Sequence, residues 1–264
     1  MYEILAKEDL APVTKLFDVH APAVAEQARA GQFVIIRLHE EGERIPLTIA
    51  DYDRERGTIT LVVQEVGKTT MEMGVMQAGE HLASLTGPLG IPSEIENWGT
   101  VLCVGGGVGI APIYPIARDL KEAGNTVISI IGARNKDLLF WEEKMRAISD
   151  ELIVCTDDGS YGRKALVTIP MKELLESEHP IEHIWAIGPA IMMKFCALTT
   201  QPFGVHTIVS LNSIMVDGTG MCGACRVEVG GQTRFVCVDG PEFDGHQVDW
   251  DQLLARQRIY PEQE

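Results

Sequence analysis

Basic residues are scarce in this chain. Its 264 residues carry 22 Lys and Arg against 38 Asp and Glu, a formal net charge of −16. Neutralising a phosphate backbone takes many cations, so nucleic acid is excluded as a partner, and an anionic membrane surface with it. Long apolar runs are absent too. The longest, residues 101–113 and 128–133, fall short of the ~20 residues that a membrane span requires. The opening stretch MYEILAKEDLAP lacks a basic region followed by an apolar core, so no secretory signal is expected. Aromatic residues are few, with 7 Phe, 4 Trp and 5 Tyr, whereas 26 glycines and 13 prolines promise many turns between short elements. What is present is a hydrophobic share of 45%, enough for a sizeable core, in a length that suggests two domains.

Cysteine is sparse and uneven. Cys103, Cys155 and Cys196 stand alone in apolar stretches, where a thiol behaves as a small hydrophobe. Cys222, Cys225 and Cys237 crowd into sixteen residues. A secreted disulfide framework would spread them, so a reducing cytoplasm and a metal cluster in the tail are expected.

Residues 2–6, 14–20, 32–38, 45–51, 58–66 and 81–85 alternate as short strands between glycine turns, with one helical stretch at 69–76. This spacing predicts a small antiparallel β-barrel over residues 1–97. The rhythm then changes. Strands at 100–104, 126–131, 152–156 and 183–187 alternate with helices at 110–120, 136–148, 170–177 and 190–199. That is the pattern of an α/β domain on a parallel sheet, assigned to residues 98–208. Residues 209–264 form a glycine-rich, cysteine-bearing subdomain with few long periodic runs.

Three motifs carry chemistry. The first is Asp217-Gly-Thr-Gly-Met-Cys222-Gly-Ala-Cys225 followed by Cys237, a D-x4-C-x2-C-x11-C spacing. A plant-type [2Fe–2S] loop reads C-x4-C-x2-C…C, so Asp217 stands where the first cysteine would be. Spacing alone leaves an iron–sulfur cluster, a structural zinc and unligated thiols open. The second is Gly105-Gly106-Gly107-Val108-Gly109-Ile110-Ala111-Pro112 between a strand and a helix. Its glycines and the helix N-terminus suit a phosphate, although the spacing is not that of the dinucleotide fingerprint, and a ligand-free turn is the alternative. The third is Arg44-Ile-Pro46-Leu47-Thr48, with Gly67-Lys-Thr69-Thr70 and Gly87-Pro-Leu-Gly90 downstream. Arg44 suits a pyrophosphate and Thr48 a flavin ring nitrogen, and a solvated arginine on a strand is the alternative.

In this order the motifs resemble the ferredoxin–NADP reductase family, an FAD-binding barrel followed by a nicotinamide-nucleotide domain. The tail narrows the resemblance to the electron-transfer subunits of dihydroorotate dehydrogenase. Its Asp217 and the run from Cys237 through Pro241 and Phe243 to His246 are closer still to the small subunits of NADH-dependent ferredoxin–NADP oxidoreductases, the sulfide dehydrogenase beta type. In that family an aspartate replaces one cluster cysteine, whereas the dihydroorotate type has four. The resemblance implies that Arg44, Pro46, Leu47, Thr48, Gly67, Thr69 and Thr70 hold FAD. It implies that Gly105, Gly106, Gly107, Val108 and Gly109, with Arg134, Asp157 and Asp158, hold NAD(H), and that Asp217, Cys222, Cys225 and Cys237 ligate a [2Fe–2S] cluster. His246 is the alternative fourth ligand.

It further implies a cytoplasmic oxidoreductase subunit of an electron-bifurcating enzyme. The expected partner is a larger flavin and iron–sulfur subunit resembling the glutamate synthase small subunit, with ferredoxin engaged indirectly. A dihydroorotate-type or sulfide-type electron-transfer subunit and a zinc-stapled nucleotide-binding module are the alternatives.

Overall fold

The computed structural model describes residues 2–177 and 180–258. The last six residues of the expected cluster subdomain therefore lie outside the described residues. In the N-terminal half, β1 (Tyr2–Ala11), β2 (Thr14–His20), β3 (Phe33–Arg37), β4 (Ile45–Asp53), β5 (Thr58–Gln64), β6 (His81–Leu82) and β7 (Ser84–Leu89) form one antiparallel sheet. Its order, β6-β1-β2-β5-β4-β3-β7, brings consecutive strands to both edges, so the sheet curls into a nearly closed barrel. The alternation read from the sequence does the work here. Phe17 and Val19 on β2 and Ile59, Leu61 and Val63 on β5 point into one buried core. Two helices flank the barrel: α1 (Pro22–Gln27), which the sequence reading missed although Pro22 marks a first helical turn, and α2 (Lys68–Val75), one residue earlier than expected.

The second half alternates strand and helix as expected: β8 (Thr100–Gly106), α3 (Ile110–Glu122), β9 (Thr126–Ala133), α4 (Glu142–Ile148), β10 (Glu151–Thr156), β11 (Arg163–Lys164), α5 (Thr168–Glu176), β12 (His183–Ile187), α6 (Ala190–Thr200) and β13 (His206–Ser210). The sheet order is β11-β10-β9-β8-β12-β13, all parallel, and the tail adds one antiparallel strand, Glu242–Asp244, beside β13. The single helix expected over 136–148 is instead a 3-10 turn at Lys136–Leu138 followed by α4. Trp141 breaks it by adopting a left-handed φ of 56°. That turn brings the Trp141 ring 5.5 Å from Tyr114 on α3 and 5.8 Å from Phe140, so ring packing outweighs helix continuity.

The tail is more regular than its composition suggests. It holds β14 (Arg226–Val229), β15 (Gln232–Phe235), α7 (Val236–Asp239), β16 (Glu242–Asp244) and α8 (Trp250–Gln257). Its core is shared with both other regions: Cys225, Val236 and Cys237 pack in one buried cluster with Phe33 and Ile35 of the barrel and Leu102 and Val104 of the parallel sheet.

Candidate functional site

Strand β8 has β9 on one side and β12 on the other, so the strand order reverses there. Open α/β sheets bind ligands in the crevice at the carboxyl ends of such strands. A cavity of about 360 Å³ opens at this point. Val108, Gly109 and Pro112 line it from the β8–α3 turn, and Ile187, Gly188 and Pro189 from the β12–α6 turn. The barrel supplies Pro46, Thr48 and Gln64, and the tail supplies Leu211, Ser213 and Pro241. All three regions of the chain therefore meet at one hole. Ser213 is 8% exposed and its hydroxyl has no hydrogen-bond partner among the described residues. A buried hydroxyl left without a partner is costly, so this wall fits a polar ligand.

Of the residues singled out for cofactors, Pro46, Thr48, Val108 and Gly109 face this cavity. Leu47, between two of them on β4, packs on the barrel core, as strand alternation requires. Arg44 is exposed just before β4, and its side chain has no partner among the described residues. Gly67 caps α2, where the Thr70 hydroxyl accepts its N–H at 2.9 Å. Thr69 donates to Glu43 Oε2 at 3.0 Å, tying the start of α2 to the residue beside Arg44. A helix N-terminus next to an unpaired guanidinium fits a pyrophosphate.

In the β8–α3 loop, Gly105 and Gly106 still belong to β8, in register with Ile131 and Gly132. A Cβ at Gly105 would lie 2.9 Å from Ile113, and one at Gly109 only 2.2 Å from the Ile187 carbonyl oxygen. These glycines serve close packing of turn on turn, while Gly107 faces open space. Arg134, Asp157 and Asp158 are exposed beyond β9 and β10 and are not part of the cavity wall. Asp158 accepts the Ser160 N–H at 2.8 Å, and Ser160 holds its carboxyl below the usual range. It shapes the turn. Gln64 and Ser213 are wall residues that the motifs did not flag, and neither carries a local sequence signal.

The tail loop brings its four candidate ligands together as two pairs. Asp217 Oδ1 lies 3.4 Å from Cys222 Sγ, and Cys225 Sγ lies 3.2 Å from Cys237 Sγ. Asp217 also accepts the N–H groups of Thr219 at 3.0 Å and Cys222 at 3.1 Å. The Thr219 N–H leads the groups that hold its carboxyl below the usual range. Burial, then the adjacent Cys225, pushes the free Cys237 thiol up to about 12. Among the described residues no three His, Cys, Asp or Glu side chains converge on a point that would hold one metal ion. Two pairs suit a two-iron cluster with two protein donors per iron. His246, the alternative ligand, has Nε2 engaged 2.8 Å from the Thr200 hydroxyl. Gly218, next to Asp217, sits against Ile35 and Leu89 of the barrel, where a Cβ would come within 2.8 Å of either.

The isolated cysteines are core residues as expected. Burial raises the thiols of Cys103 and Cys155, and that of Cys196 to about 12. One further group stands out. Glu242 on β16 has its carboxyl pushed up to about 7 by burial, against the lowering effect of Ser93 and Trp185 beside it. Ser93 Oγ donates to its Oε1 at 2.6 Å.

Residues 212–249 match the family model of the iron–sulfur cluster binding domain of dihydroorotate dehydrogenase B, and residues 103–197 that of the oxidoreductase NAD-binding domain. The chain is 56% identical over 262 residues to the dihydroorotate dehydrogenase B (NAD(+)) electron transfer subunit homolog of Thermotoga maritima, covering 99% of this chain and 92% of that protein. It is 31% identical to the corresponding electron transfer subunit of Streptococcus mutans, over 94% of this chain and 97% of the relative. A solved structure of an NADH-dependent reduced ferredoxin–NADP oxidoreductase, which concerns flavin-based electron bifurcation, superposes with a TM-score of 0.95 at 55% identity, covering 100% of this chain and 95% of the other. Phthalate dioxygenase reductase shares the fold, with a TM-score of 0.63 at 16% identity over 86% of this chain and 85% of that one.

Proposed function

The chain belongs to the family of dihydroorotate dehydrogenase B electron-transfer subunits and their homologues, and from that premise we propose that it is the small subunit of an electron-bifurcating, NADH-dependent ferredoxin–NADP+ oxidoreductase. It is an oxidoreductase subunit that passes electrons between NAD(H), FAD and a [2Fe–2S] cluster. Residues 1–97 hold FAD, 98–208 the nicotinamide nucleotide and 209–264 the cluster. The partner is a larger flavin and iron–sulfur subunit of glutamate synthase small-subunit type, in the cytoplasm, and ferredoxin is met through it.

The observation that carries this reading is the single cavity shared by the barrel, the switch-point turns and the tail. A flavin bound there would supply the two-electron to one-electron conversion that a nicotinamide and an iron–sulfur cluster require of anything between them. The chain's own task is placement. Arg44 and the N-terminal turn of α2 bind the diphosphate, while Pro46 and Thr48 border the ring. The β8–α3 turn, with Val108 and Gly109, seats the nucleotide, and Ser213 offers its free hydroxyl to a group in the cavity. Met215 beside the cavity and Gly218 on Ile35 keep the cluster loop against the barrel. The paired Asp217 and Cys222 would hold one iron and the paired Cys225 and Cys237 the other.

Iron, zinc and acid-labile sulfide analysis of the purified protein, with its visible spectrum, tests the cofactor set. The expected result is FAD with two irons and two sulfides per chain; zinc in place of iron would defeat the reading. Asp217→Cys should keep the iron and change the EPR signal, and Asp217→Ala should lose most of it. An Asp217→Ala protein with unchanged iron and EPR would assign the ligand elsewhere. Stopped-flow flavin reduction should be faster with NADH than with NADPH. Native purification should bring down the larger subunit.

A further inference from the structure

Strand β4 and helix α3 pack against each other, and both run from the cavity just described to a second cleft. Thr48 lines the first cavity and Tyr52 the second, four residues or ~14 Å along the strand. Gly109 lines the first and Arg118 the second, nine residues or ~14 Å along the helical direction. The second cleft, of about 730 Å³, is closed on a third side by the linker residues Pro92, Ser93 and Ile95 between barrel and parallel sheet.

We propose that this second cleft binds a small phosphorylated molecule that also carries hydroxyl or amino donors, of the size of a nucleoside monophosphate or a sugar phosphate. Three arginines line it, Arg29, Arg54 and Arg118. Arg118 is already neutralised, 2.6 Å from Asp51 and 3.0 Å from Asp119. Arg54 donates to the backbone carbonyls of Glu26 and Ala28, at 3.3 and 2.9 Å, and lies over the Tyr52 ring at 4.7 Å. The Arg29 side chain has no partner among the described residues. Arg29 thus offers a free fork of N–H donors and Arg54 a positive charge with no carboxylate beside it among the described residues, a combination that suits phosphate. Glu122 on α3 lines the same cleft as an acceptor, beside Asp119, which Arg118 and Tyr52 already engage. Two cations from the barrel side and Glu122 on α3, unpaired among the described residues, select a ligand with an anionic end and a donor-bearing end. The volume falls in the range of small-molecule sites.

The cleft is wired to the first cavity. Ser93 in its wall donates to Glu242, and Pro241, the preceding residue, lines the flavin and nicotinamide cavity. A ligand against Ser93 therefore bears on the backbone that shapes the reaction site, and it bridges the barrel to α3.

The test is calorimetric titration of the native complex with inorganic phosphate, ribose 5-phosphate and AMP, with NAD+ saturating so that the nicotinamide site is occupied. Ribose 5-phosphate or AMP should bind saturably and more tightly than phosphate. Binding of AMP alone identifies a nucleotide, and equal binding of both a sugar phosphate. Arg29→Ala should weaken binding about tenfold, or ~1.4 kcal/mol, with Arg29→Lys in between, and leave flavin content and NAD+ affinity unchanged. No saturable binding of any probe, or binding indifferent to Arg29→Ala, overturns the proposal.

Discussion

Two glycine-rich loops face the same region of this molecule and hold their shapes by opposite means. The β8–α3 loop is shaped by packing: Gly109 lets the turn lie directly on the β12 end, with no room for a Cβ beside the Ile187 carbonyl. The tail loop touches the barrel at Gly218 but is otherwise shaped by its own hydrogen bonds. Gly220 sits at a φ of 84°, and the Asp217 carboxylate gathers the N–H groups of Thr219 and Cys222. The first loop is therefore preorganised by the whole sheet. The second rests on a carboxylate that is also a candidate ligand, so its form and its cofactor are coupled.

The contrast can be broken most forcefully at Gly109. Gly109→Ala drives a methyl into backbone that cannot yield, and denaturant unfolding should show a loss of about 3 kcal/mol. A loss below about 1 kcal/mol would mean the turn is held less rigidly than its packing implies. Glu242, between the tail and the linker, comes next. Its folded carboxyl titrates near 7, above the ordinary 4.5, so the folded state binds its proton more tightly than the unfolded state. Stability from this group is full below about pH 4.5 and falls as pH rises through about 7, by roughly 3 kcal/mol. Glu242→Gln should flatten that part of the stability–pH curve; an unchanged slope would assign it to other groups.

Gly220→Ala tests the local loop. A left-handed φ costs an alanine about 1 kcal/mol, and the substitution should lower iron content more than it lowers global stability. Equal losses of both would make this loop as tertiary as the first. The smallest stability effect is expected at Arg44. It is exposed and unpartnered, so Arg44→Ala should move unfolding by no more than about 0.5 kcal/mol while flavin occupancy drops. Full flavin retention would remove Arg44 from the diphosphate site.

Much of this was legible in the chain. Period-two alternation over 14–20 and 58–66 gave the barrel strands, because each has one face in the core. The tail spacing gave four donors that meet in space as two pairs, because a short loop leaves them few other arrangements. The break at Trp141 was not legible. It depends on Tyr114, twenty-seven residues away, offering a ring to pack on. Gln64 and Ser213 escaped notice for the same reason: a strand-end glutamine or a lone serine means nothing until a cavity forms beside it.

The sequence by itself determined the two architectures, the order of the nucleotide and cluster segments, and the spacing that makes Asp217, Cys222, Cys225 and Cys237 candidate ligands, since periodicity and spacing are local properties. Only the tertiary structure decided that barrel, switch point and tail share one cavity, and that a second cleft lies at the far end of β4 and α3. Cavities are made where elements distant in the chain fail to fill the space between them, and no local pattern records that.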